Sequence, residues 1–457
     1  MTAATVLLAV AASAAAAPLP APGGHASALL HGRLAQALAA RPAHVRSLAP
    51  AGSTAAWIEQ KVVADGGVPY QQFGASVAID GATAVVGGVE SGAGDGSYPA
   101  GPGVAFVLRK QSTGWTQAAE LRADDGAAGE FFGFSVAVSG DTAVVGAHDA
   151  TVDGQADRGA AYVFHHTGDA WAQVARLTAG DGISGDLFGN AVAIDGDTIV
   201  VGAYGSTVDG RFGQGALYVF SADGGGWTQT GKLTAADGVA LDQLGFSVAL
   251  HGDELMAGAP NAVGADGSAK TGAVYAFQRS AGAWSQAQKL VPDDGAANDA
   301  FGVSVGFEGG YGVVGAPFGN GLLGAAYVFE RDATGWAQAQ KLLPQNGLPN
   351  DVLWAFAVAL SGDHLVVTEP TYDSNLGRAD VYGRTADGWT LQQTLTASDA
   401  VAGSSLADNF GFCGAINGGT ILIGQPYSTI GSNLYQGAAY FYEADAIFAD
   451  GFDAAAQ

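Results

Sequence analysis

Seven tryptophans divide the chain. Trp57, Trp115, Trp171, Trp227, Trp284, Trp336 and Trp389 stand 58, 56, 56, 57, 52 and 53 residues apart. A near-constant period of this size marks an array of like units that stack to bury a common core. Each period holds four short runs rich in Val, Ile, Tyr and Phe, bounded by Gly and Asp. In one of them the runs are Trp171–Leu177, Phe188–Ile194, Thr198–Ala203 and Gly215–Phe220. Runs of this length and composition read as strands. Asp195-Gly-Asp197, or Ser139-Gly-Asp141 one period earlier, joins the second run to the third as a tight hairpin. After Trp57 no stretch repeats its apolar residues at a helical period, which excludes helical solenoids.

Four antiparallel strands repeated seven times predict an all-β chain folded as a seven-bladed β-propeller of four-stranded antiparallel blades. We name the Phe-Gly run strand A, the Val-Val-Gly-Ala run B, the Tyr-Val-Phe run C and the Trp run D. The array then opens on an unpaired D, Trp57–Val63, and finishes on an A-B-C set, Phe410–Tyr442, that lacks one. Pairing the two closes the ring and removes strand edges that would invite aggregation. The single cysteine, Cys413, allows no internal disulfide, so strand pairing must do this work. Cys413 falls where other units place a strand Ser (Ser135, Ser247, Ser304), which favours a buried, inert thiol over a nucleophile.

Outside the array, residues 1–17 carry an apolar run from Ala4 and A-x-A sites near Ala15, the pattern of a secretory signal peptide. Residues 18–56 form an Ala/Pro/Gly-rich linker, 57–442 the propeller, and 443–457 a tail containing Ile447-Phe-Ala-Asp-Gly-Phe-Asp453. No run is long enough to cross a bilayer as a helix. A net charge of −25 repels phosphate backbones and disfavours nucleic acid as a partner. The expectation is a monomer that is secreted or held at the cell surface.

Phe132-Gly133 with Gly146-Ala147, Phe188-Gly189 with Gly202-Ala203, and Phe301-Gly302 with Gly315-Ala316-Pro317 resemble FG-GAP repeats. Such repeats form the blades of integrin α-subunit propellers and of many exported bacterial proteins. The resemblance recurs from Trp57 to Tyr442 and weakens in the sixth unit, which reads Trp354-Ala355 and Thr368-Glu369-Pro370. It implies adhesion or recognition. Integrin-like blades also carry a calcium loop between strands A and B. Here that connection is only Ser-Gly-Asp or Asp-Gly-Asp, too short to surround an ion that needs six to eight oxygens.

One other loop suggests a cofactor, calcium. Asp149, Thr151, Asp153 and Asp157 place oxygens at positions 1, 3, 5 and 9, with Gly154 at 6. Two readings fit: a calcium loop, or an Asp-Gly turn within a polar loop. A second acidic pattern, D-G-x-x-x-[DE], recurs between D and A as Asp125/Glu130, Asp181/Asp186, Asp237/Asp242 and Asp294/Asp299, and reads as carboxylates capping backbone N–H groups. Up-and-down strand order puts these D–A loops and the B–C loops on one, acidic rim. The C–D connections, with Arg109, Lys110, His165, His166, Arg279, Arg331 and Arg384, share the other.

Catalytic signatures are missing. Gly302-Val-Ser304-Val-Gly306 matches a nucleophile elbow in letters only, since it lies on a strand A and an elbow needs a strand-to-helix turn. There is no H-E-x-x-H, C-x-x-C or phosphate loop. The chain reads as a non-enzymatic module that binds an extracellular protein or glycan through its acidic, loop-rich face. The alternatives are a polysaccharide lyase or hydrolase with a site at the central channel, and a structural cell-surface module.

Overall fold

The computed structural model describes residues 57–93, 100–168, 170–224, 226–264, 267, 269–345, 352–400 and 408–444. The expected signal peptide, the linker and residues 445–457 of the tail lie outside them. Seven sheets, each of four antiparallel strands in the order A-B-C-D, form the blades. Blade 4, for example, comprises Ser247–His251, Glu254–Ala259, Ala273–Ser280 and Ala283–Leu290. In blade 7 the A, B and C strands are Cys413–Asn417, Thr420–Gln425 and Ala438–Ala444. Its D strand is Trp57–Val62, paired from Trp57 opposite Ala444 to Val62 opposite Ala439. The inner A strands pack neighbour to neighbour all the way round, blade 7 against blade 1 included. The ring closes as the sequence predicts.

Burial explains why each run looks as it does. A strand C is sandwiched between blades, so both its faces are apolar: Tyr218 and Phe220 pack with Ala161 and Val163 of blade 2, while Leu217 and Val219 face blade 4. Strand D borders solvent on one side, and Ala170–Leu177 alternates exposed and half-buried residues along its length.

The Phe-Gly pairs sit differently from the sequence expectation. Strand A of blade 3 begins at Ala191, not at Phe188. Phe188 instead forms a parallel bridge with Gly159, just before strand C of blade 2, and the same bridge recurs at every blade junction, ending with Phe73 and Gly437 at the seam. The Phe188 ring then fills the wedge between Tyr218 and Phe220 of its own blade, at 5.5 and 6.0 Å. Gly437 shows why its position is Gly: φ is +86° and a β-carbon would lie 2.2 Å from the Phe73 carbonyl oxygen.

Two girdles of side chains lock neighbouring blades. At the head of strand A, Ser76, Ser135 and Ser247 each donate Oγ–H to a Gly carbonyl of the next blade at 2.8 Å. Cys413 stands in for this serine, with Sγ 3.1 Å from the Gly74 carbonyl across the seam, and burial pushes its thiol pKa up. At the other end of strand A, the hairpin glycine of six blades donates its N–H to the preceding hairpin, as Gly140 to Asp80 (2.7 Å), Gly252 to Asp195 (2.6 Å) and Gly81 to Asn417 (3.2 Å).

The loop-bearing rim as candidate binding face

The acidic D–A loops are largely consumed by the architecture. The second carboxylate of each D-G-x-x-x-[DE] caps a backbone N–H three residues earlier: Glu130 takes Ala127 (3.0 Å), Asp186 takes Ile183 (3.0 Å), Asp242 takes Val239 (2.8 Å) and Asp299 takes Ala296 (2.7 Å). The first carboxylate meets a tyrosine from strand C and a cation from strand D. Tyr218 Oη donates to Asp181 at 2.8 Å, and Lys232 Nζ reaches the other oxygen at 2.6 Å while lying 5.2 Å above the Tyr218 ring. Asp237 with Tyr275 and Lys289, Asp294 with Tyr327 and Lys341, and Asp399 with Tyr440 and Lys61 repeat the arrangement. Burial raises the pKa of Asp181 and Asp237, but the Lys and Tyr hydrogen bonds outweigh it and hold both below the usual carboxylate range.

Sequence reasoning found the carboxylates but not their partners. The missed signals stand at fixed offsets from most of the tryptophans. One is the cation just before the closing Leu of strand D, as in Lys232-Leu233, Lys289-Leu290 and Lys341-Leu342. The other is Trp-x-Gln: the oxygens of Gln117, Gln173 and Gln229 accept N–H groups of Asp65, Asp124 and Gly180 in the neighbouring blade's loop, at 3.0, 3.1 and 2.9 Å.

The four residues of the calcium expectation lie as follows. Asp153 and Gly154, at φ +52° and +76°, are the centre of a two-residue turn closed by Val152 and Gln155. The Asp153 carboxylate receives Arg158 at 2.7 Å. Asp149 faces His148 Nε2 at 3.1 Å, and Thr151 donates its amide N–H to Glu130 at 3.3 Å. Burial, with Asp157 nearby, raises the Asp149 pKa to about 7, and burial lowers that of His148 to about 3. Among the described residues no three His, Cys, Asp or Glu side chains gather as a metal site. Val208-Asp209-Gly210-Arg211 repeats the same turn one blade on.

On the opposite rim the basic residues belong to the ends of C strands, not to C–D loops as expected. There they are paired. Arg279 contacts Asp253 at 2.5 Å and lies 5.3 Å over Trp284, and Arg384 contacts Asp363 at 2.6 Å. His165 and His166 point to separate partners, Thr142 and Asp141.

Apolar side chains also stand exposed on the loop-bearing rim. Among the described residues eight large hydrophobics are exposed, and six of them (Val68, Ile183, Phe212, Val239, Leu343 and Leu434) lie in D–A or B–C loops. Phe212, at 63% exposure, is the most open. Half-buried Phe134, Phe246, Val303 and Phe412 stand at the heads of the A strands around the central mouth.

Residues 57–105, 115–164, 171–220, 227–277, 284–329 and 389–442, well over half of the chain, match the FG-GAP repeat. The chain belongs to the FG-GAP repeat family. The matched stretches of this FG-GAP propeller pass over the A, B and C strands of blade 6, the unit in which Phe-Gly has become Trp354-Ala355. Among solved structures the propeller is similar to Sqt1 of Saccharomyces cerevisiae, at 9% identity, over 84% of this chain and 97% of that one, with a TM-score of 0.46. No curated protein matches it. Among the described residues no helix is long and apolar enough to cross a membrane.

Proposed function

We propose that this FG-GAP propeller is an exported, non-enzymatic binding module that holds an extracellular protein or glycan against its D–A/B–C rim. The observation that carries the reading is the distribution of exposed apolar side chains: six of eight lie in the loops of that rim. Exposed apolar groups in a polar surround mark contact surfaces. Topology supports it too. Trp57 and Ala444, the first and last described residues, pair at the opposite rim, away from the D–A/B–C loops. Against a catalytic channel, the A strands open toward that rim on Ser, Ala, Val and Cys.

An array of extracellular proteins and glycans, probed with the wild type and with Ile183→Ser/Phe212→Ser/Val239→Ser, tests this. The triple variant should lose its ligand. A ligand that survives the triple change but needs Arg279 on the other rim would overturn the reading, as would turnover of a glycan. Calcium in the same assay should change neither binding nor melting temperature. A calcium-dependent rise in melting temperature that Asp149→Ala abolishes would restore the calcium-loop reading.

A further inference from the structure

At the seam between blades 7 and 1, two neighbouring loops change character together. The D–A loop 63–75 keeps one charge, Asp65, and runs uncharged after it as Gly66-Gly-Val-Pro-Tyr-Gln-Gln-Phe-Gly-Ala75, while the loop 426–437, Pro-Tyr-Ser-Thr-Ile-Gly-Ser-Asn-Leu-Tyr-Gln-Gly, contains none, in a chain with 43 acids. Gln71 stands where other blades hold the capping acid (Glu130, Asp186, Asp242, Asp299).

Two left-handed positions that other blades fill with Gly, Leu, Asn or Asp are tyrosines here. Tyr70 occupies the place of Gly129 and Gly185, each with its N–H donated to the preceding blade's B–C loop, and keeps their left-handed backbone at φ +60°. Tyr435 occupies the place of Gly213, at φ +52°. The two rings meet at 5.4 Å and 72°, Tyr435 meets Tyr427 at 5.9 Å and 86°, and Tyr427 meets Phe412 at 5.7 Å. An aromatic path thus runs from the D–A loop of blade 1 to the central mouth, with Tyr70, Tyr435 and Phe412 half-exposed. Beside it, Gln71 Oε1, Gln72 Oε1, Asn409 Oδ1 and Thr429 Oγ1 are buried without a hydrogen-bond partner in the protein. Unsatisfied buried acceptors are costly and rare.

We propose that these loops form a stacking site for a neutral sugar chain. Resting on the D–A/B–C rim as the binding face, the inference narrows the ligand to a class. A pyranose presents an apolar C–H face to an aromatic ring and hydroxyl hydrogens to amide and hydroxyl oxygens. Tyrosine with Ser, Asn and Gly supplies that combination of rigid area and adaptable polarity. With no charge in either loop beyond Asp65, the pair fits an uncharged ligand better than a polypeptide steered by electrostatics.

The test is calorimetric titration of the full chain with neutral linear gluco-, xylo- and manno-hexasaccharides, alongside hexagalacturonate and hexalysine. A neutral hexasaccharide should bind. Tyr70→Gly and Tyr435→Gly should each weaken it about tenfold or more, as loss of an aromatic anchor does. Both should leave the melting transition near that of the wild type, since glycine already serves at these backbone positions in other blades. Arg279→Ala, on the opposite rim, should leave sugar affinity unchanged. Failure of all three neutral probes, or binding indifferent to both tyrosines, overturns the proposal. So does tyrosine-dependent binding of hexalysine or hexagalacturonate in place of the neutral chains. Sugar binding lost in Phe212→Ser but kept in the tyrosine variants would overturn the seam site and leave the binding face standing.

Discussion

Blades 4 and 6 solve the same polar problem at different depths. In blade 4 the mid-blade residues at the rim are Ala259, Ala273, Tyr275 and Lys289, and the charge sits outside, where Lys289 meets Asp237 at 2.6 Å. In blade 6 the corresponding residues are Glu369, Arg378, Asp380 and Thr394. Arg378 bonds Glu369 at 2.9 Å, lies 3.8 Å from Asp380 and stacks 4.4 Å from the Tyr372 ring. Trp354 Nε1 and Thr394 Oγ1 donate to the two Asp380 oxygens at 2.9 and 2.6 Å. Glu369, Arg378 and Asp380 are essentially closed to solvent. A regular blade thus keeps its ions where water screens them, while blade 6 has drawn an ion network into its interior. Its Ala355 and Thr368, in place of two glycines, also shorten strand A to Val358–Ser361.

Both blades depend on the ring, so the largest effect should come from opening it. Deleting residues 57–62 removes strand D of blade 7, and the cooperative melting transition should be lost. A truncated chain that melts like the wild type would show that blades stand alone, and the comparison would reduce to two independent sheets. Next comes the network itself. Arg378→Ala strands two carboxylates in the interior and should cost about 3–5 kcal/mol in denaturant unfolding. Replacing the set by its blade 4 counterpart, Glu369→Ala/Arg378→Ala/Asp380→Tyr/Thr394→Lys, should be neutral or stabilising, by up to about 4 kcal/mol. Equal losses in the two variants would mean that the network is required for blade 6 to fold.

A smaller effect separates buried from screened titration. Asp149 keeps its proton to about pH 7 in the fold but only to its ordinary value of 3.8 when unfolded, so its contribution to stability falls as pH rises through that window. His148, lowered from 6.5 to about 3, acts with the opposite sign, adding stability as pH rises between those values. Asp149→Asn should therefore gain more over the wild type at pH 8 than at pH 4.5, measured as the urea midpoint. A constant difference would show that Asp149 titrates as if in water. The smallest effect belongs to the regular blade: Lys289→Ala removes a partly exposed pair and should cost no more than about 1 kcal/mol.

How much of this was legible follows from which interactions repeat. The Trp period, the alternation of strand D and, outside blade 6, the doubly apolar strand C depend on local geometry repeated from unit to unit, so they surface as pattern. The capping role of Glu130 and Asp186 was legible for the same reason. Their neighbours Lys232 and Gln229 repeat just as regularly, but they act on a loop some fifty residues earlier in the chain, at 51 and 49 residues' separation. Nothing within one unit announces that pairing. The Phe-Gly pair reads as strand because its residues are strand-formers, yet the parallel bridge to the previous blade holds it outside.

The amino-acid sequence by itself determined the blade, the number of blades and the route of closure, because hydrophobic periodicity and an unpaired strand at each end leave one way to bury every edge. Only the tertiary structure decided what the polar residues are for. It sets Asp181, Asp237, Asp294 and Asp399 against Tyr and Lys, and it turns Asp153 toward Arg158. At the seam it brings Tyr70 to Tyr435 across 365 residues of chain. The reason is physical: burial periodicity is a property of one strand, whereas the partner of a charge or a ring is chosen by whichever blade the closed ring places beside it.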